Sequence, residues 1–300
     1  MEIKTIPFFK GKILCVYGAT ASSKTKFAIS LAKKIGGVVI NADSMQVYRD
    51  IPILTSQPNQ EEKNAIPHKL YSIVSPTSYF SVYEWLKLVT KEINCIRTRG
   101  LQPILVGGSG LYFSSLIAGI ARIPQATKAL KQTIECLTKD KSNQDLHSML
   151  IKYDNELAER LHTNDRLRVL RGLEVMIVTG QSITKWHQSN TKFFPRDHFI
   201  NIYVKPNRDT LYRNINIRFL QMIELGVEYE VINITKKYSI DNLPKIIGLL
   251  TLYDYTKGRI SFQDMVMIIQ QNTRNYAKRQ LTWFNNKLHH DYVISSESSL

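Results

Sequence analysis

Eight residues near the start of the chain, GATASSKT from Gly18 to Thr25, have the types and spacing to hold a phosphate group. The pattern GxxxxGK[ST] works because successive backbone N–H groups wrap an anion where a helix begins. The lysine adds a point charge, and the final hydroxyl reaches a magnesium ion. Gly18, Lys24 and Thr25 satisfy the pattern, with Ala19, Thr20, Ala21 and Ser22 between them, but Ser23 stands where the second glycine belongs. Strictly, the motif fails. That glycine serves a backbone with positive φ, and a serine held there costs about 1 kcal/mol. The phosphate-binding reading therefore rests on context, against the alternative of a chance Gly/Ser/Thr turn.

The context is strand, loop, helix. ILCVYG, residues 13–18, reads as a buried parallel strand, and FAISLAKKI after the loop carries apolar residues at helical spacing. Two further apolar runs, GVVINADS ending at Asp43 and Ser44, and PILVGGSGLY ending in glycines and Ser109, look like strands with polar groups at their carboxyl ends. Ligands of open parallel sheets gather outside those ends, so the three segments converge on one crevice. From about Ile123 to Pro195 strands vanish and helical periodicity with Lys, Arg, Asp, Asn and Gln takes over. FINIYVKP, residues 199–206, reads as a returning strand, and long helical stretches follow through Phe284. The expected fold is α/β, a P-loop parallel-sheet core (1–122 and 198–300) interrupted by a helical insertion domain (123–197). The segment from about His289, with its short apolar DYVI and serine-rich end, is expected to be surface.

Composition narrows the classes. Three hundred residues at 43% hydrophobic suffice for one large or two moderate cores. No apolar run approaches the roughly 18 residues needed to cross a bilayer, and the amino terminus lacks the order of a signal peptide, so no membrane role and a cytoplasmic location are expected. Cys15, Cys95 and Cys136 lie far apart without metal-ligand spacing and read as buried or inert thiols. Forty Lys and Arg against 25 Asp and Glu leave a net charge of +15, which suits a polyanion such as nucleic acid, or reflects lysine-rich composition alone.

A phosphate loop by itself suggests an ATP-dependent kinase. ADSMQVY (42–48), PHKL (67–70), GGSGLY (107–112), NDRLRVLRGLEV (164–175) and QNTRNYAKRQLTWF (271–284) point elsewhere: in that order, from about Ile13 to Phe284, they resemble the tRNA dimethylallyltransferase family, the bacterial tRNA isopentenyltransferases. The resemblance implies transfer of a dimethylallyl group from dimethylallyl diphosphate to the exocyclic amino nitrogen of the adenosine 3′ of the anticodon, in tRNAs reading codons that begin with U. It implies Asp43 as the base that takes the amine proton, the alternative being a helix cap. Lys24, the loop N–H groups and Arg218 would meet the charge of the departing diphosphate, and Thr25 would bind Mg2+. Ser109 occupies a place usual for threonine and would bond the reacting nitrogen or the bridging oxygen.

For the tRNA anticodon stem-loop, whose adenosine must turn out of its stack, the resemblance implies contacts from Asp43, Ser44, Met45, Gln46 and Ser109 at the crevice. Lys131, Arg168 and Arg171 in the insertion, and Arg274, Lys278 and Arg279 in the last helix, are the phosphate-contact candidates, each with a solvated surface charge as its alternative. Tyr276, Trp283 and Phe284 are expected to pack in the core, and His68 and His162 to be structural. Besides Ser23, the chain departs from the family at Ala19 (usually proline), Leu54 (glycine), Gln57 (lysine), Ser72 (aspartate) and IIGLLTLY, residues 246–253. A monomeric enzyme is expected. A nucleotide-dependent phosphotransferase and an RNA-binding homologue without catalysis are the other function classes.

Overall fold

The computed structural model describes residues 11–295. Strand β1 (Ile13–Tyr17) leads through the phosphate loop into helix α1 (Lys24–Ile35), followed by β2 (Gly37–Asn41), α2 (Gln60–Ala65), β3 (His68–Lys69), α3 (Val82–Thr98), β4 (Gln102–Gly107) and α4 (Gly110–Ala118). Helices α5 (Lys128–Thr138), α6 (Asn143–Tyr153), α7 (Asn155–Arg160), α8 (Arg166–Thr179) and α9 (Ile183–His187) come next. The chain returns with β5 (Phe199–Val204), α10 (Arg208–Glu224), α11 (Val227–Lys237), α12 (Leu249–Thr256), α13 (Phe262–Lys287) and β6 (Tyr292–Ile294).

The strands form one sheet in the order β3-β2-β4-β1-β5-β6, with every pairing parallel. β1, β2 and β4 are buried along their whole length. That is why they read as unbroken apolar runs rather than alternating ones: a parallel sheet covered on both faces has no solvent side. Leu14, Val16, Val39, Ile104, Val106 and Ile202 pack on one side with Ala28, Leu31 and Ala32 of α1. β1 lies between β4 and β5, so its carboxyl end opens at the centre of the sheet, where the connections diverge.

One sequence expectation fails here. The apolar DYVI segment is no surface tail: β6 pairs with β5 in the register Tyr203↔Val293 and buries Ile294. Its brevity hid it, because a three-residue edge strand with one exposed valine shows no usable period. The serine-rich end, residues 296–300, lies outside the described residues. Cys136 is exposed, so burial accounts fully for Cys15 alone, whose thiol is pushed up by desolvation.

The described chain divides into two compact units, of which the second, Ala118–Phe193, holds α5 to α9. Its core is Leu146, Leu150, Ala158, Val169 and Leu173. Its helices start on side-chain caps from Thr127, Ser142, Asp154, Asp165 and Ser182, each accepting an N–H of the first turn. The two ends of the unit are tied by an antiparallel bridge in which Ile120 and Thr191 exchange N–H···O bonds of 3.2 and 3.0 Å. Gly119 beside it has φ +87°, and a Cβ there would overlap the Thr191 carbonyl.

Candidate active site at the carboxyl ends of the strands

The phosphate loop holds the backbone that its glycine-bearing pattern demands, without the glycine. Ser23 sits at φ 64°, ψ 15°, and Ala21 at φ 60°, both in the left-handed region. Ser23 makes no side-chain capping bond, so the N–H groups of the first turn of α1 remain directed at the loop. Thr20 donates its N–H to Gln280 Oε1 at 2.8 Å, and Ser22 donates its N–H to the Ala19 carbonyl at 3.2 Å. Ala19 and Ser22 are fully buried, Ala19 among Leu211, Ile215 and Ala277. Of the loop N–H groups, those of Thr20 and Ser22 are thus already bonded within the protein. Gly18 has to be glycine because a Cβ would overlap the Val204 carbonyl.

Lys24 and Arg218 bring two cations to this point. Lys24 Nζ donates to the Ala19 carbonyl at 3.2 Å, and Arg218 Nη1 donates to Thr20 Oγ1 at 3.3 Å. Desolvation pulls the Lys24 ammonium down to about 8; Arg218 pushes the same way and Asp43 opposes. Arg218 is likewise lowered by desolvation and held up by Asp43. A dianionic ligand in the loop would relieve both, since the charges that the fold has crowded together lack a neutralising partner of equal size.

Asp43 stands opposite. No helix follows it, which removes the helix-cap alternative. Its Oδ1 accepts the N–H of Met45 at 3.0 Å in a local turn, and its Oδ2 accepts the N–H of Gly108 at 3.3 Å. The position comes from the end of β2. Asn41, fully buried, donates to the carbonyls of Asp43 (3.0 Å) and Leu70 (3.1 Å) and accepts the Asp43 N–H at 2.8 Å. Trp85 on α3 donates its indole N–H to the Asn41 carbonyl at 2.9 Å and stacks on Tyr112 with centroids 4.3 Å apart. Gly107 lets β4 approach this turn, since a Cβ would overlap the Ala42 carbonyl. Ser109 Oγ accepts the N–H of Ser44 at 2.9 Å and donates to Ser44 Oγ at 3.1 Å. Burial, and then the charge of Asp43, push the phenols of Tyr112 and Tyr276 up, so both are neutral donors beside the carboxylate.

The remaining candidates are held differently. Gln46 spends its amide on the carbonyls of Thr55 and Ser56, at 3.0 and 2.7 Å, and Met45 packs on the cluster around Ile51 and Leu54. Arg274 donates to Asn216 Oδ1 at 2.9 Å and Gln271 Oε1 at 3.0 Å; Arg279 lies over the Tyr276 ring, and Lys278 is exposed. Within the second unit Lys131 is exposed on α5, Arg168 pairs with Asp165 at 3.2 Å and Arg171 with Glu174 at 2.8 Å. Phe284 is fully buried, while Tyr276 and Trp283 are half-buried. His68 bonds the Ile66 carbonyl and His162 the Asn164 N–H. Sequence reasoning missed Asn41, Trp85 and Gln280. The one usable clue was a polar residue inside an apolar run or stripe, Asn41 in GVVIN and Gln280 between Ala277 and Phe284.

A parallel sheet with a phosphate loop at its central strand, two cations at the loop and a carboxylate across from them defines a P-loop enzyme acting on a phosphorylated substrate. The family is settled by comparison: the chain belongs to the IPP transferases, whose family model matches residues 46–287, while the isopentenyl transferase model matches residues 11–77. It is 37% identical to the tRNA dimethylallyltransferase of Rhodopseudomonas palustris (strain BisB18) over 93% of this chain and 89% of that one. It is also 37% identical to the tRNA dimethylallyltransferase of Wolbachia pipientis wMel, over 97% and 98%. Among solved structures, the tRNA isopentenylpyrophosphate transferase of Bacillus halodurans superposes with a TM-score of 0.67 at 34% identity, covering 95% of this chain and 90% of that one. A eukaryotic dimethylallyltransferase acting on tRNA gives a TM-score of 0.76 at 26% identity, over 91% and 69%.

Proposed function

We propose that this protein is a tRNA dimethylallyltransferase that joins dimethylallyl diphosphate to the exocyclic amino nitrogen of the adenosine 3′ of the anticodon, in tRNAs reading codons that begin with U. Its family and curated relatives support the reaction class. The observation in this chain that carries the reading is the opposition of Asp43 to the cation-lined phosphate loop, the two held in one hydrogen-bonded network. In this mechanism the adenine nitrogen forms a bond to C1 of the dimethylallyl group as the C1–O bond breaks. The bonding pair leaves with the diphosphate, and the amine proton passes to Asp43. Lys24, Arg218 and the N–H groups of Ala21, Ser23, Lys24 and Thr25 hold the diphosphate as charge builds on it. Ser109, oriented by Ser44, lies beside the nitrogen.

Magnesium fits the donors present: a single hydroxyl, Thr25, at the start of α1 suits an ion that takes most of its ligands from substrate phosphate oxygens and water. Bound there, it would neutralise charge on the diphosphate. The helical unit Ala118–Phe193, through Lys131, Arg168 and Arg171, and α13, through Arg274, Lys278 and Arg279, are assigned to the phosphates of the anticodon stem-loop. We place the enzyme in the cytoplasm as a monomer; among the described residues no helix is long and apolar enough to cross a membrane. A nucleotide-dependent phosphotransferase is not favoured, because the relatives and the structural neighbours are prenyl transferases.

The test is nucleoside mass spectrometry of tRNA from cells with and without the gene. Loss of the dimethylallyl adenosine on deletion, with return on complementation, is the expected result. An unchanged nucleoside profile would refute the assignment.

A further inference from the structure

Gln280 lies on the inward stripe of α13, between Ala277 and Phe284, and is 6% exposed. A helix that packs against a core carries an apolar side chain at such a position, because a buried amide is tolerated only if both of its ends find partners. Both ends of this amide bond to backbone. Oε1 accepts the N–H of Thr20 at 2.8 Å, and Nε2 donates to the Gly108 carbonyl at 2.8 Å. Thr20 belongs to the loop after β1 and Gly108 to the loop after β4, so one side chain joins the loops of two adjacent strands. Each loop residue has a second tie. Thr20 Oγ1 accepts from Arg218, and the Gly108 N–H donates to Asp43 Oδ2. Gly108 has no room for a side chain, since a Cβ would overlap Gln280 Nε2.

We propose that Gln280 is a positioning residue for the transfer: its amide sets the distance and angle between the diphosphate cradle at Thr20 and the carboxylate of Asp43. The proposal rests on the dimethylallyl-transfer reading above. An in-line displacement needs the leaving oxygen, C1 and the nitrogen aligned, and the proton acceptor placed on that nitrogen. Misplacement by about 1 Å costs on the order of 10²-fold in rate. The chain element that could let these two halves drift is the pair of loops, and Gln280 is the side chain that spans them. An amide offers a donor and an acceptor at this length at any working pH. Glutamate would make both bonds only as the neutral acid and, once ionised, would set an oxygen against the Gly108 carbonyl; methionine would fill the space and make neither bond.

The experiment compares wild type, Gln280→Met and Gln280→Glu in single-turnover transfer to unmodified tRNA with saturating dimethylallyl diphosphate and magnesium. Thermal unfolding and the affinities for inorganic pyrophosphate and tRNA are measured on the same proteins. Both variants should fold and bind pyrophosphate and tRNA within about threefold of wild type; Gln280→Met should lose at least about tenfold in the transfer step, and Gln280→Glu should lose as much once pH is high enough to ionise its carboxyl. Introduced into Asp43→Asn protein, Gln280→Met should cost less than about threefold, because the carboxylate it positions is gone. A transfer rate within threefold of wild type for Gln280→Met would overturn the proposal, as would an equal loss in the Asp43→Asn background or failure of both variants to fold. Absence of transfer by the wild-type protein would instead refute the reading of the reaction itself.

Discussion

Charge is held in two ways in this protein. At the ends of the central strands, Lys24, Arg218 and Asp43 are half-buried, few, and tied to backbone or to each other's neighbours. In the helical unit, Arg168 and Arg171 stand 67% and 42% exposed, each with an acidic partner one turn along the same helix. Desolvation strengthens every interaction in the first region and makes every lost partner costly, whereas water screens the second and makes each charge worth little alone. The first arrangement suits chemistry on one bond; the second suits a long, soft grip on a polyanion.

The contrast predicts a graded series of effects. The largest belongs to Asp43→Asn, which keeps the shape and can still accept the Met45 N–H through its one amide oxygen, but gives up the bond from Gly108 and cannot take a proton. Turnover should fall about 100-fold or more while pyrophosphate and tRNA affinities hold. Turnover within about threefold of wild type would make Asp43 a turn residue and nothing more.

Next comes pH. Because burial lowers the free-state Lys24 ammonium to about 8, raising pH through that value removes the cation that the diphosphate needs. Pyrophosphate binding should therefore be flat below pH 8 and weaken by up to about tenfold per unit above it. Lys24→Met should bind weakly and show no such break, whereas a break that persists in this variant would assign it to another group.

Ser23 yields a smaller change. Its φ of 64° is one that serine adopts with strain of order 1 kcal/mol, and the fold itself holds it there, so Ser23→Gly should raise the stability to unfolding by up to about 1 kcal/mol and leave dimethylallyl diphosphate affinity within about threefold. Weaker diphosphate binding would mean that the serine hydroxyl contributes something that glycine lacks.

The smallest effect per residue is expected in the helical unit. Arg168→Ala with Arg171→Ala should weaken tRNA binding by a few-fold and lower the slope of log affinity against log salt by up to about two, leaving pyrophosphate affinity unchanged. An unaltered salt slope would return both arginines to solvated partners of Asp165 and Glu174.

Much of the first region was legible in the sequence, because its parts are local. β1, β2, β4 and β5 announce themselves as apolar runs, and Lys24, Asp43 and Ser109 follow β1, β2 and β4 closely, whereas Arg218 comes from the middle of α10. What was not legible depends on contacts between distant segments. Gln280 meets Thr20 across 260 positions, and β6 meets β5 across about 90. The departures from the family are a case in which isolated residues mislead. Gln57 and Ser72, two of the departures, hydrogen-bond to each other, the Ser72 hydroxyl donating to Gln57 Oε1 at 2.7 Å. Leu54, at a glycine position, packs in one cluster with Ile246, Leu249 and Leu252 of the other altered string. Read singly these changes look scattered; in the fold they fall into two local contact groups, apart from Asp43, Lys24 and Arg218.

The most direct test of that cradle-and-carboxylate account is one reaction with purified components: the protein, unmodified tRNA whose anticodon reads a codon beginning with U, dimethylallyl diphosphate and magnesium, followed by nucleoside mass spectrometry. The account predicts a dimethylallyl group on the exocyclic nitrogen of the adenosine 3′ of the anticodon, one diphosphate released per group transferred, and next to no product with Asp43→Asn. Tight binding of tRNA and diphosphate by the wild-type protein without any transfer would contradict it.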